Sequence, residues 1–147
     1  MLAYNIRLQD YAFKLFKKEV ELKVVKTDRA PLPVGAYSQG ILTGNLLFTA
    51  GQLGIDPKTG ELVKGFENQA RQALKNLEAI LNAAGASKCS ILKVTVFLTD
   101  IGKFKVFNAI YEEFLSPCPV KPARSVVEVS ALPLGAEVEV ECIAQIG

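Results

Sequence analysis

The chain contains no histidine. That absence removes Ser-His and Cys-His nucleophilic catalysis, histidine-ligated metals and the usual neutral-pH proton shuttle. Any chemistry must then rest on carboxylate, arginine, backbone amide, hydroxyl or water. Cysteine is sparse as well. Cys89, Cys118 and Cys142 are odd in number and lack the spacing of metal ligands, which argues against a disulfide framework or a zinc site and points to a reducing compartment. Neither sign of charge dominates. Seventeen Lys and Arg against 15 Asp and Glu leave a formal charge of +2, and the basic residues are scattered apart from Lys17-Lys18, so the electrostatic footprint of a nucleic-acid binder is missing. No apolar run approaches the roughly 20 residues that cross a bilayer. With half its residues hydrophobic and 22% charged, the chain reads as a soluble globular protein. Its 147 residues give room for one domain and one sizeable core, with no internal repeat or interdomain linker.

The most informative stretch is Lys121 to Cys142. Arg124 stands at the start of a β-branched run, a Pro/Gly connection follows, and a second run alternates Glu with Val or Cys. This is the pattern of two strands. By the period of two, Glu137, Glu139 and Glu141 share one face of the second strand while Val138, Val140 and Cys142 share the other. A guanidinium on a neighbouring strand offers a planar fork that grips a carboxylate in two places, either that of Glu128 or a strand glutamate, or that of a small acid ligand.

The rest of the chain supplies a frame. Tyr4, Leu8, Tyr11, Leu15 and Phe16 recur near helical spacing, so residues 1–22 read as an added helix or a disordered arm ahead of a domain at 23–147. Asp10, Glu19 and Glu21 argue against a cleavable organellar presequence. Glu21 to Thr27 reads as a strand ended by Pro31 and Pro33. Tyr37 to Thr43 and Leu46 to Ala50 form a hairpin over Gly44-Asn45, and Gly51 marks either a turn or a close backbone approach. Glu67 to Ala84 carries an apolar stripe of helical period and stops at Gly85. Ile91 to Thr99 reads as an inner strand covered on both sides. Asp100 caps a second helix whose inward face is Phe104, Phe107, Ile110, Tyr111, Phe114 and Leu115, with Asn108 beside that stripe; propensity alone makes Asn108 a solvated amide. The proline-rich loop Ser116 to Pro122 is stiff and delivers Arg124. The order predicts an α+β domain with its helices on one face of a mixed sheet, whose other face needs a partner.

Ala123-Arg124-Ser125, Glu139 and the closing Glu141-Cys142-Ile143-Ala144 resemble the signature of the RidA family, also called YjgF-like or L-PSP. Further blocks resemble it in order: Gly35 to Gly40, Gly44 to Gln52, Lys93 to Asp100, then Asn108 and Tyr111. The likeness runs from about Lys23 to Ile146. It implies a chorismate-mutase-like fold, a homotrimer with sites in the clefts between subunits, and hydrolytic deamination of reactive enamines and imines (2-aminoacrylate/2-iminopropanoate and 2-iminobutanoate) to 2-keto acids and ammonia. No cofactor or metal is implied, the partners are small 2-imino and 2-keto acids, and neither membrane nor nucleic acid is among them. In this likeness Arg124 holds the substrate carboxylate, and Glu139 orients and deprotonates a water. Tyr37 lines the pocket, the Gly51 amide faces the ligand and Asn108 reaches in across the interface. Val126 stands where many relatives carry Cys, Ala or Thr, which narrows the pocket, and Ala50 stands where many carry Ser. Cys118, in a loop that reads as exposed, is the thiol expected to be modified if any is. A cytoplasmic location is expected, with a mitochondrial one as the second choice. Two other functions compete. One is a regulatory trimer that binds a small ligand. The other is the endoribonuclease or translation-inhibitor activity of the L-PSP label, which the missing His pair, basic stripe and stacking platform argue against.

Overall fold

A computed structural model describes residues 21–147. The helix or disordered arm expected before Leu22 falls almost wholly outside them. Seven strands and two α-helices follow: β1 (Leu22–Val25), β2 (Gly40–Thr43), β3 (Leu46–Thr49), β4 (Gln52–Leu53), α1 (Phe66–Ala83), β5 (Ile91–Leu98), α2 (Phe104–Leu115), β6 (Ala123–Glu128) and β7 (Val138–Gln145). The strands form one mixed sheet in the order β1-β2-β3-β7-β5-β6, with β4 also paired to β7. β5 and β6 run parallel, because α2 carries the chain back between them as a crossover. The other pairings are antiparallel.

The hairpin forms as expected over Gly44-Asn45, with Gly44 at φ +58°, a conformation that costs glycine nothing. Its first strand is shorter than expected, starting at Gly40 and leaving Tyr37 in the preceding loop. Gln39 explains the delay. Its buried side chain accepts from the Thr27 amide (2.7 Å) and donates to the carbonyls of Thr27 (2.9 Å) and Pro31 (2.8 Å), so it is a peg around which the proline-containing loop folds. The short strand β4 was not anticipated. Phe48 faces Ile143 but Gln52 faces Val140. Four steps on one strand thus match three on β7, so an extra residue is accommodated at Ala50-Gly51 as a β-bulge.

Both helices pack on one face of the sheet. The α1 stripe of Ala70, Ala73, Leu74, Leu77, Ile80 and Leu81 is buried, as are Phe107, Ile110, Tyr111 and Leu115 of α2, against Val94, Val96 and Leu98 of β5 and Val138, Val140, Cys142 and Ala144 of β7. The polar Asn76 is completely buried in α1 and donates to the carbonyls of Leu53 (3.0 Å) and Ile55 (2.8 Å), tying the helix to the chain just after the bulge. The expectation that β5 is covered on both sides is not met. Its alternate residues face away from the helices, and Leu92 is 45% exposed. Val24, Ile41, Phe48 and Ile143 form one row across four strands on that same open face, with Val24 66% and Phe48 42% exposed. An apolar row of this kind marks a surface to be covered.

The cysteine reading is corrected too. Cys89 and Cys118 form a disulfide with their Cα atoms 4.9 Å apart, and Cys118, expected to be an exposed thiol, is buried. An odd count excludes only complete pairing, and the fold brings the end of the α1–β5 connection against the loop after α2. The cysteine argument for a reducing compartment therefore lapses. The remaining Cys142 is buried, and burial pushes its thiol up to about 12, which makes it inert. Lys121 locks the same loop by donating to the Leu115 (2.6 Å) and Cys118 (2.7 Å) carbonyls, a favourable place for a cation beyond a helix C-terminus. The bridge spans 29 residues, and closing such a loop in the unfolded chain is worth about 2–4 kcal/mol. Reductant, or the double substitution Cys89→Ser/Cys118→Ser, should lower the unfolding free energy by about that amount in denaturant titrations at fixed protein concentration. An unfolding curve indifferent to both would show that the bond contributes nothing.

Candidate active site

β7 carries Glu139 on the open face, opposite Phe97 of β5 and Leu53 of β4. The bulge brings Gly51 beneath it so closely that a Cβ at Gly51 would collide with the Glu139 carboxylate. Here the missing side chain is a steric requirement. Burial raises the Glu139 pKa above the ordinary carboxyl value, and the neighbouring charge of Glu141 raises it further. No ion pair to Glu139 is formed among the described residues. It is therefore an unneutralised carboxylate with enhanced basicity, beside backbone that has left the regular ladder.

Arg124 lies on the other side of the sheet. It sits level with Val94 of β5, which is itself level with Cys142 of β7, and this row faces the helices. Its guanidinium carbon is 4.7 Å from the centroid of the Tyr111 ring and 5.6 Å from that of Phe104. β6 is not the neighbour of β7, since β5 runs between them. Neither Glu128 nor a strand glutamate pairs with Arg124. Glu128 instead accepts from the Ile101 amide at 2.9 Å, at the start of the turn into α2. Tyr111 is the partner that sequence reasoning missed: it stands on the inward face of the helix and among the family-like blocks, but that reading gives it no part in the site. The available signal was the placing of Phe104, Asn108 and Tyr111 at i, i+4 and i+7, which puts all three on one helical face. Burial pushes the Tyr111 hydroxyl up to about 12 although the Arg124 charge pulls the other way, so the phenol is neutral throughout the physiological range.

The other expected site residues divide between these two locations or stand apart. Asn108, half-buried between the two rings along α2, donates to Glu112 at 2.8 Å. Val126 is level with Val96 and shares Arg124's face, partly buried against the core. Tyr37 is 52% exposed in the loop before β2, its hydroxyl accepting from the Val34 amide at 3.3 Å. One chain thus joins Glu139 with Gly51, and Arg124 with Phe104, Asn108 and Tyr111, but keeps the two groups on opposite faces. A groove of about 230 Å³ between the helices is lined by Arg71, Lys75, Glu78, Ile110 and Glu113 among others and contains none of them. No cluster of three or more Cys, Asp or Glu suited to a metal occurs among the described residues, and no described helix is long and apolar enough to cross a membrane.

Residues 27–146 match the family model for endoribonuclease L-PSP. The chain belongs to that family. The L-PSP domain is 50% identical over 123 residues to a RutC family protein of Aquifex aeolicus, covering 84% of this chain and 98% of that one. It is 44% identical over 123 residues to the 2-iminobutanoate/2-iminopropanoate deaminase of Escherichia coli K12, covering 83% and 96% of the two chains. The crystal structure of Escherichia coli TdcF with bound serine superposes with a TM-score of 0.82 at 40% identity, covering 85% and 99%. The mixed sheet with two helices on one face is therefore the YjgF/RidA fold, as the sequence resemblance implied.

The Glu139 environment of the L-PSP domain has a measurable consequence. Its carboxyl should titrate above the ordinary Glu midpoint in side-chain carbon NMR, and Glu141→Gln should lower that midpoint part-way by removing the like charge. The raised value also means that the folded chain holds this proton more tightly than the unfolded one. Glu139 then costs stability as pH rises from the ordinary carboxyl range through its own pKa, so Glu139→Gln should stabilise the fold at neutral pH more than at low pH. An ordinary titration midpoint would remove the case for a tuned base.

Proposed function

We propose that this protein hydrolyses 2-iminopropanoate, its enamine tautomer 2-aminoacrylate, and 2-iminobutanoate to the corresponding 2-keto acids and ammonia. The observation that carries the reading is the pair of uncompensated groups: a guanidinium without an acceptor on one face of the sheet and a carboxylate of raised pKa without a cation on the other. Each is half of a site. The name of the relative from Escherichia coli K12 supports the reaction class, and the serine in TdcF supports a small amino- or keto-acid ligand.

Arg124, on the edge strand β6, meets the open face of a second subunit, where that subunit's Glu139 and Gly51 lie. The exposed row of Val24 and Phe48 supplies apolar surface for such an assembly, and a homotrimer closes the ring with three equivalent clefts. Within a cleft Arg124 grips the substrate carboxylate bidentately, and Glu139 takes a proton from a water whose oxygen bonds to the imine carbon. That proton passes to nitrogen to give the carbinolamine; Glu139 then carries the hydroxyl proton to the amine, the C–N bond breaks as the carbonyl forms, and ammonia leaves with the keto acid. The imine carbon is already electrophilic, so positioning and one general base suffice for the step. Tyr37, Asn108 and Val126 would shape the cleft. A purely ligand-binding role, which the bound serine of TdcF also favours, requires Arg124 but not Glu139. The endoribonuclease description belongs to the family model; this chain has no histidine for acid–base cleavage and a net charge of only +2.

Arg124→Lys should weaken pyruvate binding and imine turnover together, because loss of a charge-assisted bidentate contact costs on the order of 2–4 kcal/mol. Glu139→Gln should keep pyruvate binding while turnover drops by roughly 10²- to 10⁴-fold and loses its rise with pH through the Glu139 pKa. Calorimetry and an assay in which semicarbazide traps imine made by an amino-acid oxidase measure the two effects. Normal turnover in Glu139→Gln leaves the ligand-binding reading.

Light scattering should give a trimer at micromolar concentration. Co-expressing Arg124→Ala and Glu139→Gln chains, each inactive alone, should restore activity at about one site in four, as random head-to-tail mixing requires. A monomer, or a mixture that stays inactive, would overturn the shared site.

A further inference from the structure

An arginine meant to grip a ligand poses a difficulty that this structure resolves in an unusual way. Its side chain is long and rotamer-rich, and an internal carboxylate that fixed it would have to be displaced by the ligand. The Arg124 guanidinium has no hydrogen bond or ion pair to an acceptor among the described residues. What lies against it is aromatic: Tyr111 at 4.7 Å and Phe104 at 5.6 Å to the ring centroids, two turns apart on α2. The ring quadrupole attracts the cation and leaves no acceptor for a carboxylate to compete with.

Tyr111 is the fixed member of this pair. It is 6% exposed, stacks on the fully buried Phe107 with ring centroids 5.7 Å apart, and so has no room to turn away. Its hydroxyl is buried without a hydrogen-bond partner. A buried hydroxyl left unsatisfied is a cost, so the hydroxyl contributes nothing to the fold that would explain the residue, whereas the ring explains both the stacking on Phe107 and the hold on Arg124. Phe104, 38% exposed, supplies a second, more open wall.

We propose that Tyr111 is a positioning residue for the carboxylate anchor: its buried ring, with Phe104 beside it, holds the Arg124 guanidinium in place while leaving its N–H fork free for the substrate carboxylate. This inference rests on the reading of Arg124 as that anchor. It assigns α2 a part in substrate binding through its aromatic face, in addition to covering the sheet.

The ring and the hydroxyl are separable by substitution. Tyr111→Phe keeps the ring and removes the orphan hydroxyl, so it should bind pyruvate within about twofold of wild type, with stability equal or higher. Tyr111→Leu keeps apolar bulk without a quadrupole, and should raise the pyruvate dissociation constant and the imine KM together by about 3- to 30-fold, the worth of one partly desolvated cation–π contact, with a smaller change in kcat. A packing role alone would lower the melting temperature and the active fraction without moving KM. If Tyr111→Leu fails to fold, Phe104→Leu on the exposed side replaces it and should show the same KM shift at smaller size. Unchanged pyruvate affinity in the folded leucine variant overturns the proposal. Arg124→Lys, titrated in parallel, separates the two levels of the argument. If it too binds pyruvate normally, the anchor assignment fails and this proposal fails with it; if it alone loses binding, only the positioning role is refuted.

Discussion

The antiparallel pairing of β5 with β7 is the constraint from which the site follows. Its register places Val138, Val140 and Cys142 beside Leu98, Val96 and Val94, all beneath the helices, and so sends Glu139 and Glu141 to the open face. A slip of one residue would exchange the two sets, driving the carboxylates into the apolar core and the valines out to the open face. The hydrophobic effect thus fixes where the candidate base points. The same register sets Arg124 on the helical side, because β6 runs parallel to β5 and level residues share a face.

Two polar pegs hold the edges of this arrangement. Gln39 organises the loop before β2 and Asn76 ties α1 to the chain after β4. Each is buried and bonded to backbone that the sheet leaves unpaired, as buried amides must be. Between them runs the bulge at Ala50-Gly51, where departure from the ladder lets backbone come up against Glu139. The bulge and its two flanking anchors shape the ground beneath the candidate base. The disulfide and Lys121 do the same for the loop that enters β6.

A sheet covered on one side, with its functional groups divided between its faces, is an incomplete object. The open apolar row favours association, and under the proposed function the guanidinium on the edge strand β6 meets that open face in a second copy. Under the proposed function, assembly and catalysis then answer to the same geometry. The aromatic face of α2 would link them, since it both covers the sheet and steadies the anchor.

The chain by itself determined the two helices and the alternation of Glu with Val in β7 through periodicity, the hairpin through Gly44-Asn45, and the fold family through its resemblance to motifs kept in order, because each depends on neighbours within a few residues or on the order of such blocks. It left open which face each alternating set would take and which strands would be adjacent. Arg124 and Glu139 each stand in a clear strand pattern, yet only the register of β5 with β6 and β7 put them on opposite faces, with β5 running between their strands. The Cys89–Cys118 bond was invisible for a similar reason: its ends meet only once both helices have packed. A period of two states which residues go together, but the side they go to is chosen by the long-range burial of a whole sheet against its helices, and that is a property of the tertiary structure.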